Sequence, residues 1–527
     1  MSSADPHRPP PTQGGAAGPP PPRRPGYVYL LAVVLPLALV GALLLPLGAV
    51  EVWRRLAPAA PVAPSAPAPT SSGPGPATAG PVDGSRGLGD PYYPDAGNGG
   101  YDVTRYQVAV SFDPRTERLS GTTTISARTL QGLHSFFLDL RLDVSAVTVD
   151  GQDAGLAKDG DTDWRITPAT PLAAGRDFSV VVTYAGRPGA VADDDGGHPW
   201  VHTGEEWLAA GEPESAAWWF PSNDHPADPA LMDVSIRVPR GLQALSTGRL
   251  VSADSGTEDA WDTWHWATRQ PSATFLTFLA VGRFSLQQGV TDGLPYVYAV
   301  TDRLSAADRR TAFAALQTSA AKVRVLAGLF GPYPFTELGG IVPAARVPFD
   351  GLETQTRPVY RADAILDRGS SDALLAHELA HMWFGDNVTV RQWNDIFDSE
   401  AYASWAAWAW RERTGGTSAQ TSLLRLYDRA RDVDDFWRVT MDDPGRRNMF
   451  TTVYYRGPMA LQALRDVMGD EAFTRLSTGW AQDPGSRSLE DWMARAQSLT
   501  PTDLGPFFQA WIFGTTAPAR TAANGLG

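Results

Sequence analysis

The stretch "LLAHELAHMWFGDNVTV", Leu374 to Val390, sets two of the chain's 8 histidines four residues apart, with a glutamate directly after the first. On a helix, residues i and i+4 share a face, so His377 and His381 point the same way and can close on one ion. Glu378 sits about 100° further round. There it can face an open coordination position and take a proton without binding the metal. That is the mechanical content of the H-E-x-x-H pattern. With 8 histidines and 58 acidic residues in 527, the chance expectation for such an arrangement is about one in a hundred. The pattern alone therefore leaves room for two imidazoles merely packed on a helix face.

A catalytic zinc needs a third protein ligand and an open position. The segment "WNDIFDSEAYASWAAWAW" supplies Glu400 near the start of a second apolar-periodic helix, with eighteen residues between it and His381. A helix–loop–helix connection of that length can return the carboxylate to the histidines, and His₂Glu is a standard catalytic zinc set. By itself Glu400 would read as a first-turn glutamate favoured by the helix dipole. The chain has no cysteine, so thiolate ligands, disulfides and cysteine nucleophiles drop out together.

These residues need elements to hold them. Ser371, Asp372 or both can cap a helix through "ALLAHELAHMWF", ended by Gly385. Upstream, from about Tyr101 to residue 289, short alternating runs such as "YQVAVSF", "TTTISA", "FSVVVTY" and "DVSIRVP" predict an antiparallel β-saddle or sandwich. Ser305 with Asp308 forms a capping box opening a helix through "AADRRTAFAALQTSAAKVRVLAGLF". Mainly helical sequence then runs to about residue 517. The fold class is α+β multidomain: a β domain over 101–289, a mainly α domain over 290–520, and a loose tail over 521–527.

The first hundred residues differ. Residues 1–26 are Pro/Gly-rich and read as a disordered cytoplasmic tail. Tyr27 to Val50 runs 24 residues without a charge. As a helix this spans about 36 Å, enough for a hydrocarbon core of about 30 Å. It predicts a signal anchor, with secretion after cleavage near Ala57-Pro58-Ala59 as the alternative. An Ala/Pro-rich stalk over 51–100 would separate the span from the globular part, placing the folded domains outside the cytoplasm at the cell membrane. The net charge of −14 and pI near 5.0 offer no positive face for phosphate, which argues against nucleic acid.

With the motif and its third ligand in place, the sequence resembles the gluzincin zinc aminopeptidases, the family of aminopeptidase N and puromycin-sensitive aminopeptidase. Their pattern of His-Glu-x-x-His, eighteen residues and Glu matches His377, Glu378, His381 and Glu400. The resemblance covers residues 90–517 and implies a β-saddle followed by a thermolysin-like domain, in a short form without the family's C-terminal helical domain. It implies one zinc per chain and peptide substrates with a free N-terminus. The family's Gly-x-Met-Glu-Asn motif resembles "DGLET", Asp350 to Thr354, which makes Glu353 the group that grips the substrate's α-ammonium. The Tyr-x-Lys-Gly element resembles "YYRG", which makes Tyr454 the catalytic phenol, Tyr455 if the register slips by one. Pro458 would open the following helix. "GEPESAAWWFPSNDHPADP" puts Glu212 where the family has a second contact to the ammonium. Met382, Asp386, Ser399 and Ala401 depart from the family around the histidines and Glu400. The rival readings are a thermolysin-type zinc endopeptidase and a catalytically silent binding protein on the same fold.

Overall fold

The computed structural model describes residues 80–192, 197–256 and 260–527. The expected tail, the Tyr27–Val50 span and most of the stalk lie outside them. Among the described residues no helix is long and apolar enough to cross a membrane.

Alternating residues build the first half. In Tyr101–Asp113, the side chains of Tyr106, Val108, Val110 and Phe112 turn inward while Gln107 and Ala109 stay exposed. This strand lies inside an eight-stranded sheet ordered 249–255, 261–267, 231–239, 101–113, 118–129, 177–186, 143–149 and 152–153. Its ladders are antiparallel except one: Tyr101–Asp113 runs parallel to Leu231–Pro239. More than a hundred residues separate those strands in the chain, so no tight hairpin dictates their direction. The expected wholly antiparallel sheet is corrected there. Two four-stranded sheets complete the β region, and Trp218, Trp219, Phe220 and Trp266 are fully enclosed in its apolar cluster.

Residues 80–100 are not free stalk. Val82–Asp83 pairs with Leu133–Asp139, and Asp90 and Asn98 are buried. Asp90 reaches both halves of the molecule: its Oδ2 lies 3.2 Å from His225 Nε2 and accepts the Trp393 N–H at 2.7 Å.

The second half opens on a five-stranded sheet ordered Phe284–Thr291, Leu294–Thr301, Leu338–Val342, Val359–Tyr360 and Gly351–Leu352. It begins at Phe284, a little before the expected boundary. Ile341, Ala345, Val347, Phe349 and Leu352 share one apolar cluster with the β domain, so the two halves are joined through a common core. The Ser305 cap forms as expected, its hydroxyl accepting the Asp308 N–H at 3.1 Å. The long helix it was expected to open is two, Ala306–Leu316 and Ser319–Phe330. The break lets the first pack beside Leu374 and Leu375 and the second beside Trp383 and Phe384.

The helix carrying the histidines is Ser371–Ala380, buried except at Asp372. Its N-cap is Ser370 without a side-chain cap bond. Asp372 instead pairs with the buried ammonium of Lys322 at 2.7 Å. The helix ends four residues before the expected Phe384, with His381 as its C-cap. The chain then turns through Gly385, whose φ of +113° favours glycine, into Val388–Val390.

Two further helices face this turn. Phe397–Arg413 carries Glu400 in its first turn. Phe384 stacks on Tyr402 at 4.1 Å with 3° between the rings, which fixes that helix against the turn after His381. Val453–Met468 carries Tyr454 in its first turn and contains Pro458, so the helix starts five residues ahead of the proline rather than at it. The expected loose tail is packed: Leu526 is buried, and Trp511 Nε1 donates to the Asn524 carbonyl at 3.1 Å.

Candidate metal centre

His377, His381 and Glu400 converge. Their ligand atoms lie within 4.8 Å of one another, all buried. The two Nε2 atoms stand 3.2 Å apart, and Glu400 Oε2 lies 3.3 Å from His377 and 3.5 Å from His381. Oε2 is enclosed and has no hydrogen-bond partner. A cation among these three atoms would satisfy all of them, so the donor set fits a divalent metal.

The electrostatics follow from burial. Burial alone would raise the Glu400 carboxyl, but the charge of His381 and the closeness of both imidazoles outweigh it and hold the acid well below its ordinary range. Burial also opposes charge on His381, yet Glu353 and Glu400 raise it well above the imidazole norm. His377 is lowered, chiefly by burial.

Glu378 lies on the same helix, 2% exposed. Burial lifts its carboxyl well above the usual value, against the pull of His381. An acid so placed takes up a proton readily, which suits a general base. Its carboxylate sits against Gly351: a Cβ there would collide with Oε1 and its carbon. "DGLET" thus contributes a glycine as well as an acid. Gly351→Ala is expected to displace Glu378 and lower kcat about tenfold or more while metal content, read by atomic emission, stays unchanged.

Glu353 comes to the same place. One of its oxygens lies within 4.8 Å of ligand atoms of Glu378 and His381, and burial raises its carboxyl. The loop behind it is tied to the β domain. Arg357 donates to the Ser246 carbonyl and, at 3.0 Å, to that of Gly248, and it stacks 4.3 Å over Trp266. Met382, one of the departures from the family, receives the Thr356 N–H on its sulfur at 3.3 Å. Glu212 arrives from the β domain, its carboxyl raised well above normal by burial and then by the negative charge of Glu353. Nothing in the structure explains another buried departure, the carboxyl of Asp386.

Tyr454 rather than Tyr455 reaches the centre. Its hydroxyl donates to Glu400 Oε1 at 3.0 Å, and burial keeps the phenol far above its ordinary pKa. Tyr455 packs on the helical core. The approach of the two helices is set three residues on, where a Cβ at Gly457 would stand 2.6 Å from Ala401 Cβ. Only small residues fit that crossing. Gly457→Val is expected to spread the helices and cut kcat by about 100-fold with KM little changed, as steady-state kinetics would show.

Comparison with known proteins finds family matches in both halves of the chain. Residues 103–276 match the sequence model of the peptidase M1 N-terminal domain, and residues 330–483 that of the peptidase family M1 domain. The chain belongs to peptidase family M1. It is 27% identical over 370 residues to endoplasmic reticulum aminopeptidase 1 of Rattus norvegicus, covering 64% of this chain and 38% of that protein. It is 25% identical over 290 residues to probable aminopeptidase 1 of Sulfurisphaera tokodaii, covering 50% and 35%. This M1 chain thus spans under two fifths of those relatives' lengths. The M1 zinc metallopeptidase of Deinococcus radiodurans superposes with a TM-score of 0.73 at 26% identity, covering 82% of this chain and 98% of that one.

The structure brings together the residues read from the motifs, His377, Glu378, His381, Glu400, Glu353 and Tyr454, with Glu212 feeling their charge. Gly351 and the bonds made by Ser399 went unread. Both contacts are formed by residues distant in the chain, and neither carries a spacing signal.

Proposed function

We propose that this protein is a zinc-dependent aminopeptidase that removes residues from the amino terminus of peptides. The observation that carries this reading is the position of Glu353, a buried carboxylate beside the metal-ligand cluster. His377, His381 and Glu400 would hold a zinc ion, which when bound would supply Lewis-acid chemistry for the scissile carbonyl and for water, whose pKa it would bring toward ~7. Glu378 accepts the proton of the attacking water and delivers it to the leaving amine. The Tyr454 hydroxyl, kept protonated by burial, donates to the carbonyl oxygen as charge gathers on it. Glu353, with Glu212, attracts the α-ammonium in a site where loss of water strengthens the pairing. This fixes the first peptide bond, and no later one, over Glu378.

Relatives support the substrate class. The Deinococcus radiodurans protein has been solved bound to a Tyr-Ser-Ala substrate, and a two-domain M1 zinc metallopeptidase with L-tryptophan or L-arginine. The test is turnover of a panel of aminoacyl-coumarins. Activity should vanish on chelation and return with one equivalent of zinc; turnover that survives complete metal removal contradicts the reading. Tyr454→Phe should lower kcat by about 10²-fold or more and leave metal content intact.

We place the enzyme at the cell membrane, held by the uncharged Tyr27–Val50 stretch, with its domains outside the cytoplasm. The chain would then fractionate with membranes, and a form starting at residue 80 would not. Recovery of the full chain in the soluble fraction contradicts this placement.

A further inference from the structure

The two histidines are held differently on the side away from the ligand cluster. His381 Nδ1 lies 3.0 Å from the Phe384 carbonyl oxygen and 3.1 Å from Ser399 Oγ. The Ser399 hydroxyl itself donates to the Phe384 carbonyl at 3.2 Å. A carbonyl only accepts, so Nδ1 must carry a proton for this bond to exist, and Nε2 is the nitrogen turned toward His377 and Glu400. His377 has no such support: its Nδ1 is buried without a hydrogen-bond partner.

Space for the arrangement is provided by Gly385. A Cβ on that residue would stand 2.6 Å from Ser399 Oγ and 3.2 Å from His381 Nδ1. Ser399 also immediately precedes Glu400 in the Phe397–Arg413 helix. One hydroxyl therefore links the orientation of one imidazole to the helix turn that presents the carboxylate. Ser399 is among the residues at which this chain departs from the family pattern it resembles.

We propose that Ser399 is a positioning residue, which with the Phe384 carbonyl locks His381 in the Nδ1-protonated form and joins it to Glu400, so that metal retention depends on this serine. The inference rests on the metal-site reading above. Buried partners of this kind typically change metal affinity about 10–100-fold when removed.

The test is zinc affinity measured by competition with a chromophoric chelator on the full protein, for wild type, Ser399→Ala and Ser399→Thr. Binding of one zinc by wild type establishes the site independently of the serine. The alanine variant is expected to bind zinc at least about tenfold more weakly. Once loaded, it should keep much of its turnover per bound zinc. Threonine, which keeps the hydroxyl, should recover most of the affinity. Wild-type affinity in the alanine variant overturns the proposal, as does a threonine variant as weak as alanine. Nitrogen-15 spectra of histidine-labelled, zinc-loaded wild type give a reading that needs no variant to fold. A protonated Nδ1 on His381 is expected, and a protonated Nε2 contradicts the lock.

Discussion

Glu378→Gln is expected to abolish nearly all turnover, by about 10²–10⁴-fold, while the protein still folds and binds its metal. The substitution keeps the volume of a side chain that is 2% exposed and packed against Gly351. What it removes is the ability to take a proton, and an amide has no substitute for that step. Glu378 is not one of the three converging ligands, and metal content by atomic emission should equal that of wild type. Loss of both metal and activity would mean that Glu378 holds the site together instead of acting on water. Turnover within tenfold of wild type would remove it from the chemistry altogether.

The second large effect is on stability. Arg456 stands at the lysine position of the family's Tyr-x-Lys-Gly element, and in this structure it is fully buried. Its guanidinium donates to the carbonyls of Trp437, Val439, Ala510, Trp511 and Gly514 at 2.6 to 3.5 Å and lies 5.2 Å from the Trp437 ring. It fastens two segments, 437–439 and 510–514, to the helix that carries Tyr454. Burial lowers its pKa to about 10, so the charge persists at neutral pH. Arg456→Met would leave several buried acceptors without donors, each costing about 1–3 kcal/mol. We expect a loss of about 3 kcal/mol or more, seen as a fall in Tm of about 3 °C or more. Arg456→Lys, with a single ammonium, should fall between the two. A methionine variant melting within a degree or two of wild type would show that the five bonds contribute little.

The structure also shows what the sequence could and could not convey. The three converging residues were readable because each is tied to a periodic element: His377 and His381 by the i, i+4 rule and Glu400 by its place in a helix first turn. The β-then-α order was readable because strands and helices differ in period. Boundaries were less so. The histidine helix stops at Ala380, because the chain must turn at His381 to bring Phe384 onto Tyr402, a contact no local propensity encodes. The Ser305 helix breaks because its two halves serve different clusters. Residues 80–100 looked like spacer by their Gly and Pro content, yet Asp90 is fixed by His225 and Trp393, 135 and 303 residues away. The same holds for Ser399, whose role depends on the turn that Gly385 makes. Long-range contacts between small or polar residues leave no period behind.

An enzyme that reads a free amino terminus must distinguish two peptides that differ only in whether that terminus is blocked. The purified protein would be given a tripeptide with a free amino terminus and the same peptide N-acetylated, with products resolved by mass spectrometry. If Glu353, which is buried, and the half-buried Glu212 grip the ammonium, the free peptide loses its first residue and the acetylated one is not cleaved. Cleavage of the acetylated peptide at a comparable rate, or at an internal bond, would contradict the aminopeptidase reading and favour an endopeptidase at the same metal centre.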